Sequence, residues 1–267
     1  MVLKEQAKVI SIGDLFSESW KLYRERIGVL TKIMLLPVAF LLVGDLWELL
    51  NTVTWFGGLS GFIGTVVSFF AALALIFALQ EKVQFGESYR LAFRKIWSYG
   101  WLTVLSGFAT LGGFVMLVIP GIIFVIWFVF AIYVFAIEGE KGMNALLRSR
   151  EYVRGYWWQV FGRQIVLVLV ALAAVLGLGF IGAILAADEG AAFVINLFTL
   201  ILAPFITVYL YMLYQNVKSL KPEVAGQPAT GPRGFFYFSA VLGVVGLIAL
   251  LVLIVVLAAA YLYQLPQ

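Results

Sequence analysis

Four carboxylates, a loose set of arginines and one glycine-bearing acidic turn are the residues of this sequence that could do chemistry. Asp45 and Glu48 lie near the end of one apolar run, and Asp188 and Glu189 sit on a short polar break between two others. Gathered on one face, four such acids would suit a divalent cation, which prefers hard oxygen ligands. The plainer reading is the charge bias of one membrane face, and no metal site is expected. Cysteine and histidine are both absent. That removes thiolate chemistry, thiolate or imidazole ligation of zinc and haem, and imidazole acid–base work. The run Glu138-Gly139-Glu140-Lys141-Gly142 has two glycines but not the spacing of a phosphate-cradling loop. It reads as a helix end. Membrane enzymes gather carboxylates, histidines or cysteines at one depth; with two of those types missing, no catalytic activity and no cofactor are expected.

The basic residues offer a different chemistry. Lys21, Arg24, Arg94, Lys95, Arg148, Arg150 and Arg154 all lie on amphipathic stretches that also carry aromatics. Their side chains can snorkel to a membrane surface and fix topology. They can also hold anionic lipid headgroups, at about 1 kcal/mol per basic residue, or dock a protein partner. The net charge of +4 is accounted for by this placement, so membrane lipids, anionic ones above all, are the expected partners and nucleic acid is not. A protein partner or a second copy is left open.

The elements that must position these residues are membrane-crossing helices. Of the 267 residues 63% are hydrophobic and 12% charged, against roughly 25% charged in soluble domains. The apolar residues come in runs of about 20, the length of a helix through hydrocarbon. The expectation is an all-α integral membrane protein with about seven crossings, near residues 28–50, 58–80, 100–119, 120–137, 162–186, 191–215 and 235–263. A six-helix core (1–217) is followed by a Pro- and Gly-rich stretch (218–234), read as a flexible cytoplasmic linker, and then by a C-terminal crossing (235–267). Crossings three and four meet at Pro120-Gly121, read as a tight hairpin turn, and crossings five and six at Asp188-Glu189-Gly190. Ser60, Gly64, Ser68 and Ala72 recur every four residues, a stripe on which another helix can pack closely. The first 26 residues are polar and amphipathic, so no cleavable signal is read there.

Three amphipathic helices, about 11–26, 87–99 and 143–158, each precede a pair of crossings and are read as lying at the membrane interface. With Ser19, Ala92 and Ser149 in register, Arg24, Trp97 and Arg154 also align. This suggests one unit used three times. All eighteen lysines and arginines fall within 4–32, 82–95, 141–163 and 218–233. Seven crossings put all four groups on one side, so the positive-inside rule predicts a cytoplasmic N-terminus and an external C-terminus.

Ile119-Pro120-Gly121-Ile122-Ile123, Glu138, Ala145-Leu146, Ser149, Gly155, Trp157-Trp158 and Phe161 resemble a bacterial and archaeal membrane-protein family. It includes the membrane domain found beside some glycerophosphoryl diester phosphodiesterases and the YciC-like inner-membrane proteins. Pro204-Phe205-Ile206-Thr207 with Tyr209, Tyr211 and Tyr214 resembles that family's last core helix. The resemblance covers about residues 10–220 and implies a six-helix core with interfacial helices, in the cytoplasmic (inner) membrane, of mostly undefined activity. The phosphodiesterase domain and its histidines have no counterpart here.

None of the runs has an ionisable residue at its centre, where transporters place one. The central polar residues, Ser68, Ser106, Thr110, Asn196, Thr199 and Thr207, suit bonds between helices. The favoured function is a membrane scaffold or lipid-interacting protein of envelope or lipid homeostasis. A permease or lipid-translocating protein using a groove between the repeated units is the alternative, and an enzyme on a membrane-embedded substrate is third.

Overall fold

In hydrocarbon every backbone amide must find its partner within the protein, which leaves helix as the solution for runs this long. The structure, a computed structural model, describes residues 8–50, 54–80 and 83–263, with the side chains of 48–50, 54, 181–197 and 262 outside that description. Its order is α1 (Ile12–Leu50), α2 (Thr54–Ala78), α3 (Phe85–Met116), α4 (Val118–Phe128), α5 (Ala131–Tyr133), a π-helical turn (Val134–Glu138), α6 (Met143–Val153), α7 (Trp157–Ser219) and α8 (Arg233–Tyr263). No strand occurs among the described residues. Seven helical spans there are long and apolar enough to cross a membrane: Ile12–Trp47, Trp55–Ala78, Phe85–Met116, Val118–Glu138, Trp157–Phe180, Phe198–Ser219 and Arg233–Tyr261. The chain is an all-α, multi-pass membrane protein.

Two of the amphipathic stretches continue into crossings without a break. Residues 12–26 are the start of α1, and 87–99 lie within α3. Ser11 caps α1: its Oγ accepts from the Asp14 amide at 3.1 Å and donates to the Asp14 carboxylate at 2.6 Å. Only the third stretch, α6, is a separate helix, and it ends at Val153. There the chain turns through Gly155, whose φ of +91° suits a residue without a Cβ. The register of the three stretches is also a register of burial. Leu15, Ser19 and Tyr23 are buried, as are Ser88 and Ala92, and Ala145, Ser149 and Val153; Arg24, Trp97 and Arg154 are exposed.

The hairpin turn falls at Leu117, not at Pro120-Gly121. Leu117 is fully extended between α3 and α4. Pro120 sits in the first turn of α4, where a helix has no use for its missing amide hydrogen. A Cβ on Gly121 would run into the Phe114 ring, so this glycine lets the two limbs close. The range of α7 takes in Asp188, Glu189 and Gly190. A straight run of 63 residues would reach about 95 Å. Yet the Tyr209 hydroxyl donates to the Arg163 carbonyl at 3.2 Å, so α7 doubles back between those residues into two antiparallel limbs.

Ser60 and Gly64 meet α1: the Ser60 hydroxyl donates to the Phe40 carbonyl at 2.5 Å, and a Cβ on Gly64 would come within 3.3 Å of the Pro37 oxygen. Ser68 instead donates to Gly64 in its own helix, and Ala72 is half-buried. A closer crossing joins α3 and α8. A Cβ on Gly112 would collide with the Ser239 carbonyl, and one on Gly243 with that of Phe108. Ser239 also donates to the Ala109 carbonyl at 2.7 Å. Small residues let these backbones touch, while the C-terminal half of α8 faces outward.

Candidate functional site

The polar centre of the molecule is built around Arg148, which the sequence placed among lipid-facing residues. Its position is corrected by the structure: Arg148 is only 1% exposed. The reason lies 76 to 79 residues further on. Residues 220–232 form a strap laid across α6, and Arg148 donates to the Val224 and Gln227 carbonyls. Lys221 donates from the strap to the Glu151 and Arg154 carbonyls. Glu151 Oε1 accepts from both the amide and the hydroxyl of Thr230 at 2.6 Å. Arg233 reaches Asn144 at 3.0 Å. The expected flexible linker is therefore a docked segment, because its carbonyls satisfy a buried cation.

Carboxylates complete the neutralisation. Glu140 lies 3.4 Å, Glu151 3.9 Å and Glu138 4.0 Å from Arg148 nitrogens. The Arg148 Nε makes no hydrogen bond. Glu138 Oε1 also takes the hydroxyls of Tyr214 at 2.5 Å and Tyr152 at 2.8 Å, and the Lys218 ammonium at 3.0 Å. Burial, followed by the hydrogen bond to Glu138, pushes the Tyr152 hydroxyl well above the usual phenol range. Burial also lowers Lys221, against the opposing pull of Glu223. Buried charges need this degree of partnering. As arranged, the cluster ties the π-helical turn, α6, the second limb of α7 and the strap together. Gly139, in the left-handed region at φ +79°, turns the chain from Glu138 toward α6.

Ser149 repairs a neighbouring fault. The helix breaks at Val129-Phe130 between α4 and α5. The Ser149 Oγ donates to the Trp127 carbonyl at 2.6 Å and accepts from the Phe130 amide at 3.1 Å. A second buried arginine, Arg163, has no carboxylate within 4 Å among the described residues: it donates to the carbonyls of Val9 and Ile10 and pins the segment before α1.

The other basic candidates separate. Lys21, Arg24 and Arg94 are exposed, with Arg24 6.0 Å from the Trp20 ring centre. Lys95 is half-buried against the Phe77 and Phe135 rings, 5.1 and 5.7 Å away. Arg150 lies over Trp127 at 4.8 Å. Its basicity is lowered first by burial and then by neighbouring Arg154. Among the described residues, neither Arg150 nor Arg154 has a carboxylate within 4 Å. Arg154 is exposed and lines a groove of about 430 Å³ with Gly155, Ile119, Ile123, Trp127, Trp157 and Trp158. A second groove of about 350 Å³ follows the same helices, α4 and the first limb of α7, along Ile122, Ile126, Phe161, Gln164 and Val168. Apart from Arg154 and Gln164, side chains there are hydrocarbon or indole. Asp45 is half-buried; Glu48, Asp188 and Glu189 have side chains outside those described.

The fold defines a class, the polytopic α-helical membrane proteins. Beyond that class, no family model, no curated protein and no solved structure matches the chain.

Proposed function

We propose that this chain is a non-enzymatic membrane scaffold that holds anionic lipid at the end of the bundle where its basic residues gather. The single observation behind this reading is the contrast between Arg148 and Arg154: the internal arginine is surrounded by three carboxylates and two carbonyls, whereas the groove arginine has no carboxylate within 4 Å among the described residues. A cation left without a protein counter-charge beside an apolar groove suits a lipid headgroup. The resemblance to the YciC-like inner-membrane family and the distribution of basic residues support the cytoplasmic membrane, with the N-terminus inside and the C-terminus outside. In a second reading the protein translocates lipid. The position of the grooves, between the second and third amphipathic units, favours it.

Native mass spectrometry of the detergent-purified chain tests the first reading. A stoichiometric bound phospholipid is expected; a lipid-free species carrying another protein would overturn it. Reconstitution with a fluorescent phospholipid then separates the two readings. A scaffold leaves the rate of transbilayer exchange at that of protein-free vesicles, and a translocator raises it.

A further inference from the structure

We propose that the paired grooves between α4 and the first limb of α7 form a binding site for one anionic phospholipid, with its phosphate at Arg154 and one acyl chain along Ile122, Ile126, Phe161 and Val168. The inference rests on the lipid-interacting reading above and gives it an address. Three observations meet here. The walls are apolar along both grooves, as a hydrocarbon chain requires. At one end Arg154 lines the groove and Arg150 lies over Trp127 of its wall, both cations without a carboxylate within 4 Å among the described residues, while Arg148 and Lys218 nearby are paired. Three buried donors beside the grooves also have no hydrogen-bond partner among the described residues: Nε of Arg150, Nε1 of Trp157 and Nε2 of Gln164.

The chemistry of the occupant follows from that set. A phosphate oxygen accepts charge-assisted hydrogen bonds from guanidinium donors, and its charge relieves the repulsion between Arg150 and Arg154. Three indoles at the mouth (Trp127, Trp157, Trp158) suit the headgroup region, where an amphipathic ring is at home. A zwitterionic headgroup brings its own cation toward the same arginines and so binds less well. A soluble phosphate would leave the apolar walls unused.

The test is a native mass-spectrometric titration of the full chain in detergent, with phosphatidylglycerol and phosphatidylcholine of matched chain length. Wild type is expected to take up one phosphatidylglycerol in preference to phosphatidylcholine. R154Q should weaken the phosphatidylglycerol adduct about fivefold, as expected for one basic residue at a lipid surface, and leave phosphatidylcholine unchanged. V168W, which fills the groove from an exposed position, should weaken both lipids. R24Q, on the remote exposed stretch of α1, should change neither. Wild-type adducts in both R154Q and V168W would overturn the site while leaving lipid binding elsewhere intact. An equal loss in R24Q and R154Q would replace it with diffuse surface attraction. No preference for phosphatidylglycerol in wild type would sink the broader reading as well. L169W serves in place of V168W if the helical circular dichroism of that variant departs from wild type.

Discussion

Residues 12–26 and α6 begin from the same pattern, a small buried residue with a basic residue five positions on, yet their charged faces meet different surroundings. Lys21 and Arg24 remain exposed, and Arg24 finds only the face of Trp20. At the end of α6 Arg154, the counterpart of Arg24, is exposed as well; but Arg148, which stands where the first stretch has the exposed Glu18, is covered by the strap of residues 220–232 and enclosed by carbonyls and carboxylates. One repeated unit has thus been used as an open surface in one place and as an internal anchor in another. The pattern of a helix states which face is polar, but not whether water, headgroups or another stretch of chain will satisfy that face.

Removal of the buried cation should have the largest effect. Arg148→Gln leaves three carboxylates and two carbonyls without their common partner, and loss of one member of a buried ion pair costs about 3–5 kcal/mol. Unfolding by sodium dodecyl sulfate titration should show that loss, and Glu138→Gln added to it should recover part. A cost equal to that of Arg24→Gln would mean that the strap does nothing for Arg148. Next in size is Glu151→Ala, which removes the acceptor of both Thr230 bonds. About 1.5–3 kcal/mol is expected for hydrogen bonds to a charged group, along with faster proteolysis within 221–232. Cleavage at the wild-type rate would show that the carbonyl bonds alone seat the strap. Arg150→Ala loses its place over Trp127 and should cost about 1 kcal/mol. The smallest effects belong to Lys21→Gln and Arg24→Gln, within about 0.5 kcal/mol of wild type as for other exposed charges. A larger loss at either would place the α1 stretch in a contact as consequential as that of α6.

The crossings were legible because hydropathy is a local property: each run announces its own length, and all seven spans fall where those runs lie. The alignment of Ser19, Ala92 and Ser149 was legible for a related reason, since helical periodicity fixes which positions share a face. What escaped the sequence depends on partners far along the chain. A Pro- and Gly-rich stretch looks mobile because it cannot form helix, yet its free carbonyls are what Arg148 needs. Pro120 looks like a turn because it cannot continue a helix, yet the first turn of a helix accepts it, and the bend moved three residues back to Leu117. The α3–α8 crossing left a trace in Gly112-Gly113 and in Ser239 followed four residues later by Gly243. That spacing resembles the one noticed on α2, but its partner helix could not be named from sequence.

The strap also imposes a timetable. Val224 and Gln227 lie 76 and 79 residues after Arg148, an interval of roughly 4–15 s at ribosomal speed. Throughout it α6 exists with its central cation unshielded on that side. The bundle is therefore closed by a late piece of chain, and a product stopped before residue 224 carries an uncapped arginine at its heart.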